Sequence, residues 1–192
     1  MANWNYFMAE ALKMLEHMPD SGHRSQCFEK METASREIEQ LKHQILHQLG
    51  KTYITPIPRE DVLAISVALN HTCHALMACG RSLLGERCAQ FAGRFGNLTG
   101  LLAEMATTLK ELTVALEHRN YTQAHSLIFL ASKFKHEIMN ACDTAMVSLY
   151  EAENDFRSFM LIREILYQFE SAARQAGNLA TAVENVILCY TS

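Results

Sequence analysis

The sequence predicts an all-α protein, an antiparallel up-and-down bundle of six helices. Three observations carry that expectation. Its 192 residues include only eight glycines and three prolines, so helix breakers are scarce. Apolar residues return at steps of three and four over long segments, which is the period of one helical face. The segments between these stretches are short, and short connections make consecutive helices antiparallel neighbours. Apolar residues make up 49% of the chain, enough for one sizeable core, so residues 1–192 are read as a single domain.

Helix 1 is expected from about Trp4 to His17, with Phe7, Leu12, Met14 and Leu15 turned inward. Pro19-Asp20-Ser21-Gly22 forms a turn. Helix 2 follows from about Ser25 to Leu49. Its face is Phe28, Met31, Ala34, Ile38, Leu41, Ile45 and Leu49, and Gly50 is placed to cap it. Helix 3 starts at Pro58 and runs to about Cys79. It carries two apolar stripes, Val62-Ile65-Leu69-Cys73-Leu76 and Leu63-Val67-Asn70-His74-Met77, so it is expected to pack on both sides. Asn70 and His74 interrupt the second stripe. Gly80 and Gly85 are expected to bracket a bend or break.

Helix 4 is expected from about Glu86 to His118, with Phe91, Phe95, Leu98, Leu102, Met105, Leu109, Leu112 and Leu116 on its face. Gly93, Gly96 and Gly100 in it signal either close helix approach or a weak, kinked first half. Asn120 or Thr122 caps helix 5, which runs to about Tyr150 with Leu127, Ala131, Phe134, Ile138, Cys142, Ala145 and Leu149 inward. Helix 6 spans about Asp155 to Leu188. Small residues in the middle of its seam, Ala173, Ala176 and Ala180, allow a neighbour to approach closely. The helices divide three and three about Gly80–Gly85, as two halves sharing one core.

Several function classes are disfavoured. A formal charge of −4, with both signs mixed, argues against a nucleic-acid footprint. No apolar run approaches the roughly 18–20 residues of a membrane span. The start, Met1-Ala2-Asn3-Trp4-Asn5-Tyr6-Phe7, has neither the basic nor the greasy region of a signal peptide, so a cytoplasmic location is expected. Cys27, Cys73, Cys79, Cys88, Cys142 and Cys189 form no CxxC pair and are read as buried reduced thiols. Ten methionines are read mainly as core filling. There is no Gly-rich phosphate loop, nucleophile elbow or zinc-ribbon spacing, and an enzyme is not expected.

The most individual stretch is Tyr53-Ile54-Thr55-Pro56-Ile57-Pro58-Arg59-Glu60-Asp61, between helices 2 and 3. Thr55 can N-cap, Pro56 or Pro58 suits a first helical turn, and Glu60 and Asp61 then sit where the helix dipole favours negative charge. The run resembles the PhoU-like family of phosphate-transport accessory proteins. Within it, the likeness is to the branch associated with low-affinity Pit-type inorganic-phosphate transporters, whose aromatic-Ile-Thr-Pro-x-x-Arg-Glu-Asp run separates the second and third helices. The order of six helices agrees over nearly the whole chain.

The resemblance implies a cytoplasmic PhoU-like six-helix bundle, at most peripheral at the inner face of the membrane. It would act as a regulator or accessory by contact with a membrane phosphate transporter or a signalling protein. Thr55, Pro56, Arg59, Glu60 and Asp61 are then the family signature and candidate partner contacts. Two acidic residues at this helix start oppose direct phosphate binding. A homodimer is expected on the general ground that two-fold pairs are the commonest oligomers.

PhoU-like proteins also often carry Glu/Asp-x-x-x-Asp pairs that hold iron or zinc clusters. In this sequence the corresponding positions are Ser35 and Glu39, Asn70 and His74, Lys135 and Met139, and Glu170 with Arg174 and Asn178. Lysine, methionine and arginine do not build a hard-cation site, so the cluster is expected to be absent or much reduced. The alternative function is a metal-binding bundle holding one divalent or iron ion on Glu39, Asn70, His74 and Glu170. The simpler reading of Asn70 and His74 is a buried polar cluster hydrogen-bonded between helices. His71 and His74 make a lone i,i+3 pair, His43 and His47 lie on a solvated face, and Glu170 and Arg174 are an i,i+4 ion pair.

Overall fold

The computed structural model describes residues 2–16, 21–51, 58–84, 91, 94–152 and 155–191. Six helices stand among them: α1 (Ala2–Glu16), α2 (Ser21–Lys51), α3 (Arg59–Leu84), α4 (Gly96–Glu117), α5 (Tyr121–Ala152) and α6 (Phe156–Thr191). The all-α bundle expected from the sequence is therefore observed. Each helix packs on its chain neighbours within a half, α1-α2-α3 and α4-α5-α6. The halves join through α3 on α6 and α1 on α4. One buried cluster runs through all six helices, as expected for halves that share a core.

Local chemistry sets the helix starts. The Pro58 carbonyl accepts the N–H groups of Asp61 and Val62 at 3.1 and 3.2 Å, so α3 begins one residue after the proline. Glu60 and Asp61 occupy its first turn as expected. Asn120 Oδ1 accepts the Gln123 N–H at 3.2 Å and caps α5. Asp155 Oδ2 accepts the Ser158 N–H at 2.9 Å and its hydroxyl at 2.7 Å and caps α6. These bonds hold the Asp155 carboxyl below its ordinary value. At the end of α4, Arg119 takes a left-handed φ of 54°. The N–H groups of Arg119 and Asn120 close back on the Leu116 and Ala115 carbonyls at 3.1 and 2.9 Å, a Schellman end at a position where glycine is usual.

Three expectations are corrected. No break occurs at Gly80, because α3 continues through it to Leu84. Gly80 is buried, and an added Cβ would stand 3.1 Å from Met14 Sδ and 3.3 Å from the Phe28 ring. Its missing side chain lets α1 and α2 close on α3. The helix that carries Leu98 to Leu116 starts at Gly96, with Phe95 buried at its N-cap, so the expected helix 4 is not continuous from Glu86; residues 85–90 and 92–93, with Gly85 and Gly93 among them, lie outside the described residues. Gly96 and Gly100 face open space, so no helix approaches closely there. Finally, α3 is by length and composition long and apolar enough to cross a membrane. Asn70, His71, Thr72 and His74 conceal that window from a search for unbroken apolar runs. In the bundle α3 packs between α2 and α6.

Candidate functional site

Four long helices, α2, α3, α6 and α5, pack side by side in that order, with the shorter α1 and α4 closing the other side. Grooves between them carry most of the residues singled out by sequence. The α2–α3 groove encloses about 310 Å³ and is lined by Glu32, Ser35, Arg36 and Glu39 from α2 and by His74 and Arg81 from α3, among others. Ser35, Glu39 and His74, three of the positions that correspond to the acidic motifs, thus line one groove. The arginines were not foreseen. Arg81 lies 3.7 Å from Glu32 and stacks 5.7 Å from the centre of the Phe28 ring. Arg36 donates to the Glu32 carbonyl within its own helix at 3.4 Å.

Asn70 does not join this groove. It is buried, and its Oδ1 has no hydrogen-bond partner among the described residues, whereas His74 is exposed. The expected inter-helix polar cluster of Asn70 and His74 is thus not formed. A hydrogen bond between α3 and α6 comes from buried Thr72, whose Oγ1 lies 3.1 Å from the Gln175 carbonyl of α6 and 2.8 Å from the Ala68 carbonyl of its own helix. His71 and His74 open onto different grooves. His71 stands with Glu60, Gln175 and Asn178 between α3 and α6. His43 and His47 are exposed.

Glu170 lies in a third groove, between α5 and α6, with Met146, Arg163, Glu164 and Tyr167. Arg174 approaches it at 3.7 Å, the i,i+4 pair read from the sequence. At the helix-5 position, Lys135 lays its hydrocarbon stem over Gly177, where an added Cβ would meet its Cδ at 2.6 Å. Thr55 and Pro56 lie outside the described residues. Arg59, Glu60 and Asp61 begin α3, with Arg59 and Glu60 exposed and Asp61 half-buried.

These donors do not fit a metal cluster. Glu39 and His74 share one groove, Glu170 lines another and Asn70 is in the interior. Among the described residues no three His, Cys, Asp or Glu side chains stand together as ligands. Cys27, Cys73, Cys79 and Cys142 are buried and form no disulfide, while Cys88 and the Cys189 side chain lie outside what is described. Burial pushes the Cys142 thiol up to about 12 and that of Cys73 higher still.

Two buried charges escaped sequence reading. Glu10 is buried, 2.6 Å from Lys13 Nζ and 3.7 Å from Lys30 Nζ, and ties α1 to α2. Its signal was a position three after Phe7 and four before Met14, on the inward face. Arg24 is fully buried and donates from Nη1 to the Leu83 carbonyl at 2.6 Å, at the negative end of α3. Its signal was a place at the head of the buried stripe of α2.

The remaining surface feature is the end of the α5–α6 hairpin. Phe95, just before α4, stacks on Phe169 at 6.2 Å, so the part of α6 that precedes this level extends past the start of α4. Val147, Tyr150, Phe156, Met160 and Tyr167 are exposed there, Phe156 at 74% and Tyr150 at 69%. Apolar groups concentrated in this way mark contact surfaces more often than bare solvent faces.

No protein-family model matches the sequence, and no curated protein matches it. Solved structures do. A PhoU-like protein from Shewanella oneidensis MR-1 superposes with a TM-score of 0.63 at 14% identity, over 98% of this chain and 95% of its own. A PhoU-like phosphate regulatory protein from the same organism gives 0.63 at 13% identity, over 98% and 95%. The chain is thus similar over nearly its whole length to PhoU-like structures, and the resemblance read from residues 53–61 is matched at the level of fold.

Proposed function

We propose that this chain is a phosphate-regulatory accessory protein that acts by protein–protein contact and is not an enzyme. Its partner is the cytoplasmic side of a membrane inorganic-phosphate transporter, or a signalling protein coupled to one. The chain itself works in the cytoplasm, peripheral to the membrane at most, without nucleic acid and without a required cofactor. The observation that carries this reading is the likeness in fold to PhoU-like proteins along the whole chain. The Tyr53–Asp61 signature supports the same reading from the sequence. The grooves add no opposed acid, base and nucleophile that would argue for catalysis.

The contact surface in this reading is the α5–α6 tip. Aromatic side chains often dominate binding energy at interfaces because they bury large areas with few rotors, and methionine is enriched there. Co-purification tests the reading. Untagged chain is mixed with a Pit-type transporter in mild detergent, and the complex is isolated through the transporter. Retention of wild type, with loss for the double variant Tyr150→Ser/Phe156→Ser, is expected. Repeated failure of wild type to associate contradicts the reading.

A further inference from the structure

The α5–α6 tip is acidic as well as apolar. Five carboxylates and two arginines lie between Asp143 and Tyr167, a net −3 within a chain whose formal charge is −4. The charges share faces with the apolar groups. On α5, Asp143, Val147 and Tyr150 follow at steps of four and three with Glu151 beside them, and all four are exposed. On α6, Phe156, Met160 and Tyr167 recur at steps of four and seven, with exposed Glu164 on their flank. The Tyr150 ring packs on Phe159 with centres 5.3 Å apart, so the two helices present their stripes as one surface. A groove of about 360 Å³ continues the patch between α5 and α6. Its lining has one cation, Arg163, against Glu164 and Glu170, with Met146 and Tyr167 as its apolar walls. The α6 stripe is roughly 16 Å long, about three helical turns.

We propose that the tip takes a basic amphipathic helix of about three turns, apolar on one face and edged with lysine or arginine. Resting on the reading proposed above, that helix is a cytoplasmic segment of the transporter. Its apolar face covers Tyr150, Phe156, Met160 and Tyr167, and its edges bring cations beside Asp143, Glu151 and Glu164. Cytoplasmic segments next to membrane spans carry an excess of lysine and arginine, so they meet the tip with the opposite sign. The cytoplasmic leaflet is itself negative, so the same carboxylates hold the tip off the lipid surface and leave its aromatic groups to protein. The acids thus choose between two occupants that an apolar patch alone does not separate.

Fluorescence anisotropy with the full chain tests this. The probe is a labelled synthetic helix of about 18 residues, leucine on one face and lysine on the other, beside a counterpart with glutamate for lysine. Wild type is expected to bind the lysine helix at least about tenfold tighter, and the difference to shrink between about 0.05 and 0.5 M salt. Glu151→Lys/Glu164→Lys, at two exposed positions, is expected to reverse the preference with an unchanged melting temperature. Tyr150→Ser/Phe156→Ser is expected to lose both helices. Glu111→Lys, on the exposed face of α4, is the control and keeps the wild-type preference. Equal binding of the two helices by wild type overturns the proposal, as does a preference that survives the double reversal. So does tip-dependent sedimentation with vesicles of phosphatidylcholine and phosphatidylserine, which makes lipid the occupant. Co-purification with the transporter that is unaffected by Glu151→Lys/Glu164→Lys overturns the proposal and leaves the transporter reading in place. A lysine helix bound at the tip of a chain that does not co-purify with the transporter upholds the proposal and contradicts that reading.

Discussion

Replacing Ala176 by leucine should separate the two halves of the bundle. Ala172, Ala173, Ala176 and Ala180 of α6 are all at most 2% exposed, and Thr72 of α3 comes within 3.1 Å of the Gln175 carbonyl beside them. Such a bond from a short threonine needs the two backbones close together, which alanine permits. Leucine adds three carbons where no void is available, because interiors are close-packed. Overpacking of this kind costs about 1–3 kcal/mol, and the bond from Thr72 to Gln175 adds about 0.5–1.5 kcal/mol if the helices part. For a chain of this length each kcal/mol shifts the melting temperature by about 2–4 °C, so a fall of about 3–18 °C is expected. Circular dichroism at the helix band is the assay. Thr181→Leu, at a neighbouring exposed position, is the control and should stay within about 0.5 kcal/mol of wild type. A melting temperature for Ala176→Leu equal to or above wild type would refute close packing of α6.

Three further outcomes are expected. In the native chain Cys73 and Cys142 should resist alkylation at pH 8, since burial holds Cys142 near 12 against an ordinary 9.0. A thiol raised on folding stabilises fully below the unfolded value and loses that contribution as pH rises, so these two groups erode stability between about pH 9 and 12; a stability profile flat across that window opposes the assignment. Arg119→Gly should raise stability by about 0.5–1 kcal/mol in denaturant melts, because glycine adopts the φ of 54° without steric cost; a loss would show that the Arg119 side chain matters more than its backbone. Elemental analysis of chain purified without a metal-affinity tag should find less than about a tenth of an equivalent of iron or zinc, and a full equivalent would revive Glu39 and His74 as ligands.

The sequence made much of the fold legible, for reasons tied to single helices. Periodicity located α2, α3, α5 and α6, and Asn120, one of the two caps offered for α5, takes that role. What was missed depends on pairs of helices. Gly80 reads as a breaker until Met14 and Phe28 are seen against it. Glu10 and Arg24 sit on inward faces of their own helices, but what neutralises them, the lysines of α1 and α2 and the carboxyl end of α3, shows only in the packed bundle. Leu41 and Ile45 are exposed, although their spacing looks like that of the core residues before them. In the grooves, Glu39 and His74 could be placed by counting from a motif, and Glu170 with Arg174 by i,i+4 spacing. Arg36 and Arg81 could not, because their convergence depends on the register of α2 against α3.

Phosphate uptake tests the central claim most directly. Cells lacking the chromosomal copy of this chain, but carrying a Pit-type transporter, are supplied with wild type or with Tyr150→Ser/Phe156→Ser. Wild type should change the initial rate of phosphate uptake, and the tip variant, equally abundant and equally folded, should leave the rate as in cells without the chain. Uptake that is identical in all three strains would contradict a phosphate-regulatory role, and a change produced equally by wild type and variant would remove the α5–α6 tip as the contact.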